Sequence, residues 1–385
     1  MTRIVKFSEC VQYMIKGPFG SDMKKSLYVP KGNNTYKVYI QGNAIQQDET
    51  LGDYYVSEEY FHEKLERFEV HPGDYIITCD GTLGKFIKLS DSIERGVISS
   101  SLLLLKLNEE IINDKYFELL WEHTMLATLA SRARNACLVH LPSAKAIGDL
   151  EVELPEMGEQ LEIAEKAFSV KRNIAYREKQ QELLDELIKA RFVELFGHPD
   201  LNEKDWKVNT FGKICTVRQG LQIPISKRLT EYEKGCYEYI TVQYLHGGKE
   251  REYIKDPKRT VICTKDDVLM TRTGNTGMVI TGVDGVFHNN FFLIDFDRNK
   301  YDKDFLVQYL NLDVIQADIR RRAGTSTIPD LNHGDFYKIQ IFEPPMRLQS
   351  EFNAFLKQVD KSKSVVRKSL NETRLLYDCL MQEFF

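Results

Sequence analysis

Near the end of the chain, apolar residues recur at alternating steps of four and three: Leu348, Phe352, Phe355, Val359, Val366, Tyr377, Leu380 and Phe384. Ser362, Ser369 and Thr373 fill the remaining positions of that stripe. The spacing predicts a long helix with a heptad seam and a polar middle. The same design occurs mid-chain. Moved forward by 189 positions, Ile163, Val170, Leu184, Ile188 and Leu195 fall on Phe352, Val359, Thr373, Tyr377 and Phe384, with Asn173, Arg177 and Gln180 in the middle. Neither stretch holds proline, or glycine beyond its first turn, so each can run for about 40 residues, or ~60 Å at ~1.5 Å per residue. One such helix alone is as readily a solvated amphipathic rod; two in one register predict that they pair.

The segments before the two helices have mixed β character and share one order of features. Each opens with a strand closing on glycine, Val11 to Gly17 and Ile214 to Gly220, followed by a polar, lysine-containing loop. Each then has an apolar strand entering a turn with glycines three apart, Tyr75 to Gly84 and Val268 to Gly277. Apolar strands follow at Val97 to Leu107 and Val286 to Phe296, then helical stretches at Asp114 to Ala130 and Asp304 to Ile319. Both helical stretches end in basic clusters, Arg132 and Arg134 in one, Arg320, Arg321 and Arg322 in the other. The offset between copies falls from 203 at Gly17 and Gly220 to 187 at Pro142 and Pro329, so the first copy has longer loops. The expected organisation is an α+β chain of two duplicated mixed α/β domains, 1–156 and 198–344, each followed by a long helix, 157–197 and 345–385. Such a duplication implies pseudo-twofold symmetry with the helices pairing as an antiparallel coiled coil, and twofold symmetry matches two half-sites on DNA.

Composition narrows the classes. The 385 residues exceed one ordinary core, and 42% hydrophobic residues suffice for globular folding. Seven scattered cysteines without CxxC spacing predict neither a disulfide framework nor a zinc knuckle, and fit a reducing cytoplasm. The first ten residues lack a secretory apolar core and the longest apolar run, Leu102 to Leu105, cannot span a bilayer, so a soluble protein is expected. A net charge of −5 decides nothing about nucleic acid; local clusters must.

The motifs of common catalysis are missing. There is no GxxxxGK[ST] or GxGxxG loop, no HxxxH pair and no GxSxG elbow. Glu343-Pro344-Pro345-Met346 lacks the amide and aromatic that an amino-methyltransferase tetrapeptide needs, and reads as a strand-to-helix hinge. Pro199-Asp200 and Pro329-Asp330 only hint at nuclease spacing. Binding chemistry is better represented. Residue types that read base edges or contact phosphates gather in the loops: Lys24, Lys25, Lys31, Asn33, Asn34, Gln41 and Asn43 in the first copy, and Arg218, Gln222, Lys227, Arg228, Gln243, His246, Arg251 and Arg272 in the second. A helix end attracts cations through its dipole anyway; recurrence of the arginine clusters favours phosphate clamping.

The whole chain resembles the specificity (S) subunit of type I restriction-modification enzymes. The resemblance rests on the order domain, helix, domain, helix and on the helix entries Glu153-Leu154-Pro155-Glu156-Met157-Gly158-Glu159-Gln160 and Phe342-Glu343-Pro344-Pro345-Met346-Arg347-Leu348-Gln349, which look like the family's strand-Pro-x-x-x-x-Gln signature. The boundary Phe192 to Gly197 followed by Trp206-Lys207-Val208 looks similar too; the first domain lacks that Trp-Lys opening, and Leu154 stands where the second copy has Pro344. The resemblance implies two target-recognition domains, each reading half of a bipartite site in double-stranded DNA. It implies helices that separate them and dock two methyltransferase (M) subunits, with restriction/translocase (R) subunits completing the complex. No chemistry is implied for this chain; S-adenosylmethionine, Mg²⁺ and ATP are expected on the partners. The competing readings are an unrecognised DNA methyltransferase or nuclease, and a coiled-coil scaffold that binds proteins.

If helix length sets the unread gap of the site, four helix-forming residues inserted near Gln180 add ~6 Å and should widen the preferred gap by one or two base pairs at ~3.4 Å each. Two inserted residues rotate the seam by ~200° and should disrupt assembly. Site selection with the partner methyltransferase checks this; an active four-residue variant with the original gap would refute it.

Overall fold

The strand Leu102–Leu107 reads LLLLKL, a run without the alternation of a half-exposed strand, because both of its faces are covered. Leu103, Leu105 and Leu107 enter one core and Leu102 and Leu104 another. Phe291–Phe296 repeats the arrangement: Phe292, Ile294 and Phe296 face one core, Phe291 and Leu293 a second. The computed structural model describes residues 2–132, 140–245, 250–325 and 329–385. The chain divides into two units, Met1–Tyr176 with Leu370–Phe385, and Arg177–Ser369.

In the first unit these strands lie at the centre of an antiparallel sheet ordered Val11–Lys16, Leu102–Leu107, Tyr75–Thr78, Phe86–Lys88. A second sheet holds Tyr55–Ser57, Thr35–Tyr39 and Gly96–Ile98, the last two parallel. The second unit repeats both, with Cys215–Gln219, Phe291–Phe296, Val268–Thr271 and Val279–Ile280 in one sheet and a parallel pair, Cys236–Ile240 with Gly285–Phe287, in the other. A further antiparallel pair joins the start of each domain to the strand before its long helix: Arg3–Lys6 with Glu151–Leu154, and Lys207–Thr210 with Gln340–Glu343. The first domain thus has its opening strand without the Trp-Lys pair.

Two expectations need correction. Val97 to Leu107 and Val286 to Phe296 are not single strands. Each is two, Gly96–Ile98 with Leu102–Leu107 and Gly285–Phe287 with Phe291–Phe296, whose halves belong to different sheets, so the chain must bend between them. The stretch Asp304 to Ile319 is also not one helix. Lys303–Asn311 stops before Leu312, which is extended, and Asp313–Ala323 begins anew. The Gln316 amide replaces the lost helical bond by donating to Leu310 O at 2.7 Å. In the first unit, Asp114–Leu120 instead continues into Leu126–Arg132 through a widened turn at Trp121–Met125.

The long helices are Met157–Phe196 and Met346–Phe384. In the second unit the end of the first meets the start of the second, with the rings of Phe192 and Phe196 5.4 and 5.6 Å from Phe352, and buried Ile188, Leu356 and Val359 beside them. In the first unit Ala167, on the first helix, is buried with Met381, and Phe384 packs on the core that holds Ile163. Pairing is antiparallel within each unit. Half-buried Val170, Leu184, Leu195, Val366 and Tyr377 continue the stripe. The polar middle departs from the sequence reading: Asn173 and Gln180 are exposed, whereas Ile174, Arg177 and Gln181 are half-buried, and Arg177 donates from Nη1 to Ser369 O at 3.1 Å. On the second helix buried Leu356, Leu370 and Met381 join the seam, which a strict four-three count from Leu348 omits.

The helix entries explain the Pro-x-x-x-x-Gln spacing. Gln349 is fully buried; its Nε2 donates to Pro344 O at 2.8 Å and Lys300 O at 2.9 Å, and its Oε1 accepts from Asp302 N at 2.7 Å. Gln160 repeats this with Pro155 O at 2.9 Å, Ile111 O at 3.0 Å and Asn113 N at 2.8 Å. Asn113 and Asp302 are the N-caps of the helices Asp114–Leu120 and Lys303–Asn311. One amide therefore ties the hinge, the start of the long helix and the cap of a second helix together. Gln349→Leu leaves three backbone groups at the hinge, one of them buried, without this partner and should cost about 2–4 kcal/mol, lowering the urea midpoint; Gln358→Ala, at an exposed position of the same helix, should change it by less than about 0.5 kcal/mol.

Candidate nucleic-acid interface

In each unit three segments distant in sequence converge at the base of the first polar loop. Gly17 N donates to Leu102 O at 2.8 Å, and a Cβ here would lie 2.1 Å from Ser99 O. Gly220 N donates to Phe291 O at 3.1 Å, with 2.2 Å left between a Cβ and His288 O. Only glycine lets the loop leave the sheet where the bent strand crosses it. The second segment is the GxxG turn, with Gly84 and Gly277 at φ +72° and +91°. Thr78 and Thr271 bind it from inside, their Oγ1 donating to Thr82 O and Asn275 O and accepting from Lys85 N at 3.0 Å and Met278 N at 2.9 Å. Behind it lies the helical stretch, through Trp121 Nε1 to Gly84 O and Gln316 Nε2 to Gly277 O, both 2.9 Å. The third segment returns after that helix: Leu141 N donates to Cys79 O and Leu331 N to Arg272 O.

A side-chain clasp closes each site. Arg272 grips Asp330 bidentately, Nε to Oδ1 at 2.8 Å and Nη2 to Oδ2 at 2.7 Å, and donates from Nη1 to Gln219 Oε1 at 3.2 Å. His333 Nε2 lies 2.8 Å from the same Gln219 oxygen. Burial and then the neighbouring Arg272 charge lower the His333 pKa, favouring the neutral ring that donates through Nε2. The first unit uses a different pair at this place, His140 Nδ1 with Asp80 Oδ1 at 2.6 Å. Sequence reading missed both clasps; the partners are 58 and 60 positions apart, and only the Pro329-Asp330 dipeptide drew notice. Asp330, one of the two Pro-Asp carboxylates noted in the sequence, is paired with Arg272. Among the described residues no group of three His, Cys, Asp or Glu is placed to hold a metal. Burial raises the thiols of Cys10 to about 11 and of Cys79, Cys215 and Cys263 to about 12, leaving them protonated and poorly nucleophilic.

The candidate DNA-contacting residues separate into two groups. Several are structural. Asn43 is 0% exposed, accepting from Ile40 N at 2.8 Å and donating to Asp48 O and Leu51 O at 2.9 Å, so its amide has none left for a base. Arg228 donates to Ile223 O, pairs with Glu252 at 3.0 Å and covers the Tyr239 ring. Arg272 is held in its clasp, and Arg218 is half-buried with Nη1 on Thr260 O. Lys31 and Arg251 are exposed, in surface pairs with Glu94 and Glu238. The others face solvent. Lys24, Lys25, Asn33, Asn34, Gln222, Lys227 and Gln243 are exposed, and Gln41 is half-exposed at the start of the helix Gln41–Gln46. Arg320 and Arg321 are exposed and Arg322 half-buried at the end of Asp313–Ala323, where Arg321 and Arg322 share Asp318. Arg132 ends Leu126–Arg132; its side chain, Arg134 and His246 lie outside the described residues.

Residues 203–373 match the family described as type I restriction modification DNA specificity domain. That match covers 171 of the chain's 385 residues. A type I restriction enzyme MjaVIII specificity subunit from Methanocaldococcus jannaschii is 21% identical over 183 residues, 47% of this chain and 42% of the relative, so the match spans less than half the relative's length. The fold is also that of solved structures. An S subunit from M. genitalium aligns with a TM-score of 0.57 at 16% identity over 100% of this chain and 96% of that one. A chain from a structure concerning assembly and conformational transition of the type I R-M system aligns with 0.61 at 14% identity over 99% and 97%. No described helix is long and apolar enough to cross a membrane.

The clasp has a pH signature. Hydrogen bonds from Arg272 hold the Asp330 carboxyl below its ordinary 3.8, so its contribution is present above that value and lost as pH falls through the depressed one. Asp330→Asn should lower stability at neutral pH, and the gap to wild type, followed by urea midpoints, should close only below about pH 4. A gap constant down to pH 3 would show that the carboxylate charge is not what holds the turn.

Proposed function

We propose that this chain is the DNA-recognition subunit of a type I restriction-modification complex, with each domain reading one half of a bipartite duplex site. The observation that supports this most is the recurrence of one scaffold, loop-base glycine, GxxG turn and returning clasp, under loops whose polar side chains differ between the units. A shared scaffold with unlike loops suits two half-sites of unlike sequence. Exposed Lys24, Lys25, Lys227 and Arg320 are suited to phosphates, and exposed Asn33, Asn34, Gln222 and Gln243 to base edges.

In this reading the chain works in the cytoplasm and performs no chemistry itself. Methylation and cleavage, with S-adenosylmethionine, Mg²⁺ and ATP, belong to M subunits docked on the long helices, two of them for two domains, and to R subunits beyond. The helices also set the spacing between half-sites.

Duplex pools exposed to the full chain, at several salt concentrations, test the reading. Bound duplexes should share two short half-sites, and affinity should fall steeply with salt. Replacing Arg320, Arg321 and Arg322 with Ala should weaken binding at all sequences alike and flatten the salt slope by ~0.9 per lost contact. Because Arg321 and Arg322 already share a carboxylate, the loss should fall short of three full contacts. Salt-insensitive or absent binding would favour the protein scaffold, and methyl transfer by this chain alone would make it an enzyme.

A further inference from the structure

Phe19 and Ile225 are 78% and 76% exposed, and each stands beside a proline, Pro18 or Pro224, in the first polar loop of its unit. The two loops end alike. Met23 and Ile223 are buried; Met23 O accepts from Tyr28 OH at 3.2 Å, and Ile223 O from Arg228 Nε at 2.8 Å. Val29 and Leu229 then bridge to Tyr55 and Tyr253. Phe19 lies two residues past Gly17 and four before buried Met23, and Ile225 five past Gly220 and two after buried Ile223; each offers to water, within the first loop of its unit, an apolar side chain that its core does not take up.

We propose that each recognition domain deforms its half-site by wedging this side chain, Phe19 in one and Ile225 in the other, between neighbouring base pairs. The proposal rests on the DNA reading above and adds to it how the duplex is held. Both loops are braced as a wedge requires. In the first, Asp22 N donates to Phe19 O at 2.8 Å within the turn Gly20–Met23, and Tyr60 OH donates to Asp22 O at 3.0 Å. In the second, Lys227 N donates to Pro224 O at 2.9 Å, while Tyr239 OH accepts from Ile223 N at 3.0 Å and donates to Leu221 O at 2.8 Å. A side chain on a fixed loop enters a base step without first paying to order its own backbone.

The surroundings select nucleic acid over protein. Phe19 is followed by exposed Gly20, Ser21, Lys24 and Lys25, and Ile225 by exposed Ser226 and Lys227. A strongly exposed apolar tip among cations and hydroxyls, joined in the second loop by Leu221 at 44% exposure, matches the apolar wedge between bases flanked by phosphate contacts. A protein interface would call for a contiguous apolar patch. Asp22, half-buried beside Ser21, is the carboxylate nearest in sequence to Phe19.

The test uses the full chain without any methyltransferase, which could itself displace a base, and a duplex selected as above, with 2-aminopurine placed at one position at a time. Wild type should raise emission several-fold at one step in each half-site. Phe19→Ala should abolish the rise in one half-site only and weaken binding about tenfold; Ile225→Ala should do so in the other; Phe19→Leu and Ile225→Leu should keep it. Bound duplex with flat emission throughout, or a rise that survives both Ala variants, overturns the wedge and leaves the DNA reading intact. Loss of methyltransferase capture by the Ala variants with unchanged emission would assign these side chains to a protein contact instead. Failure of the wild-type chain to bind any duplex overturns the DNA reading and the wedge together.

Discussion

The buried amide of Gln349, and of Gln160 in the other copy, fixes the geometry on which the rest depends. Each long helix, of 40 and 39 residues, begins within two residues of a proline that ends the preceding strand's hydrogen bonding. The glutamine supplies what the proline cannot: two donors and one acceptor that satisfy three backbone groups around the hinge. Because one of those groups belongs to a cap, the long helix, the edge strand and the second helix are set as one piece. A shorter or apolar side chain would leave buried carbonyls unpaired in the place where the domain meets its helix.

From that corner the domain is built outward by burial. The central strands have apolar residues on both faces because helices cover one side and a second sheet the other. Their covered state makes them a rigid platform for the loop-base glycine and the GxxG turn. Rigid platforms with variable loops are how one fold holds different binding surfaces. The clasps follow this logic: an arginine and aspartate in one unit, a histidine and aspartate in the other, close the same joint with different chemistry. Many of the polar and charged side chains near the loops serve that platform, which is why Arg228, Arg272 and Asn43 are spoken for within the fold while Lys24, Lys25 and Lys227 are not buried.

Much of this architecture was legible in the chain. Periodicity gave both long helices, and repeated order gave two domains, because heptad stripes and glycine-strand-turn sequences are local features. The Pro-x-x-x-x-Gln entries were visible as a pattern, and the structure supplies their reason. Tertiary contacts decided the rest. Val97 to Leu107 reads as one apolar strand since nothing local marks a change of sheet; the bend exists because Gly17 admits Ser99 against its backbone. Leu312 breaks a helix that periodicity would continue, since Gln316 caps the severed end at Leu310 O from six residues away. The clasps join residues about sixty positions apart, and base-reading types such as Asn43 prove to be internal fasteners. Side-chain type alone determined which groups can bind; only the fold decided which of them still have a free face to do it with, because a hydrogen-bonding group spent on the backbone in the interior is no longer available to a partner.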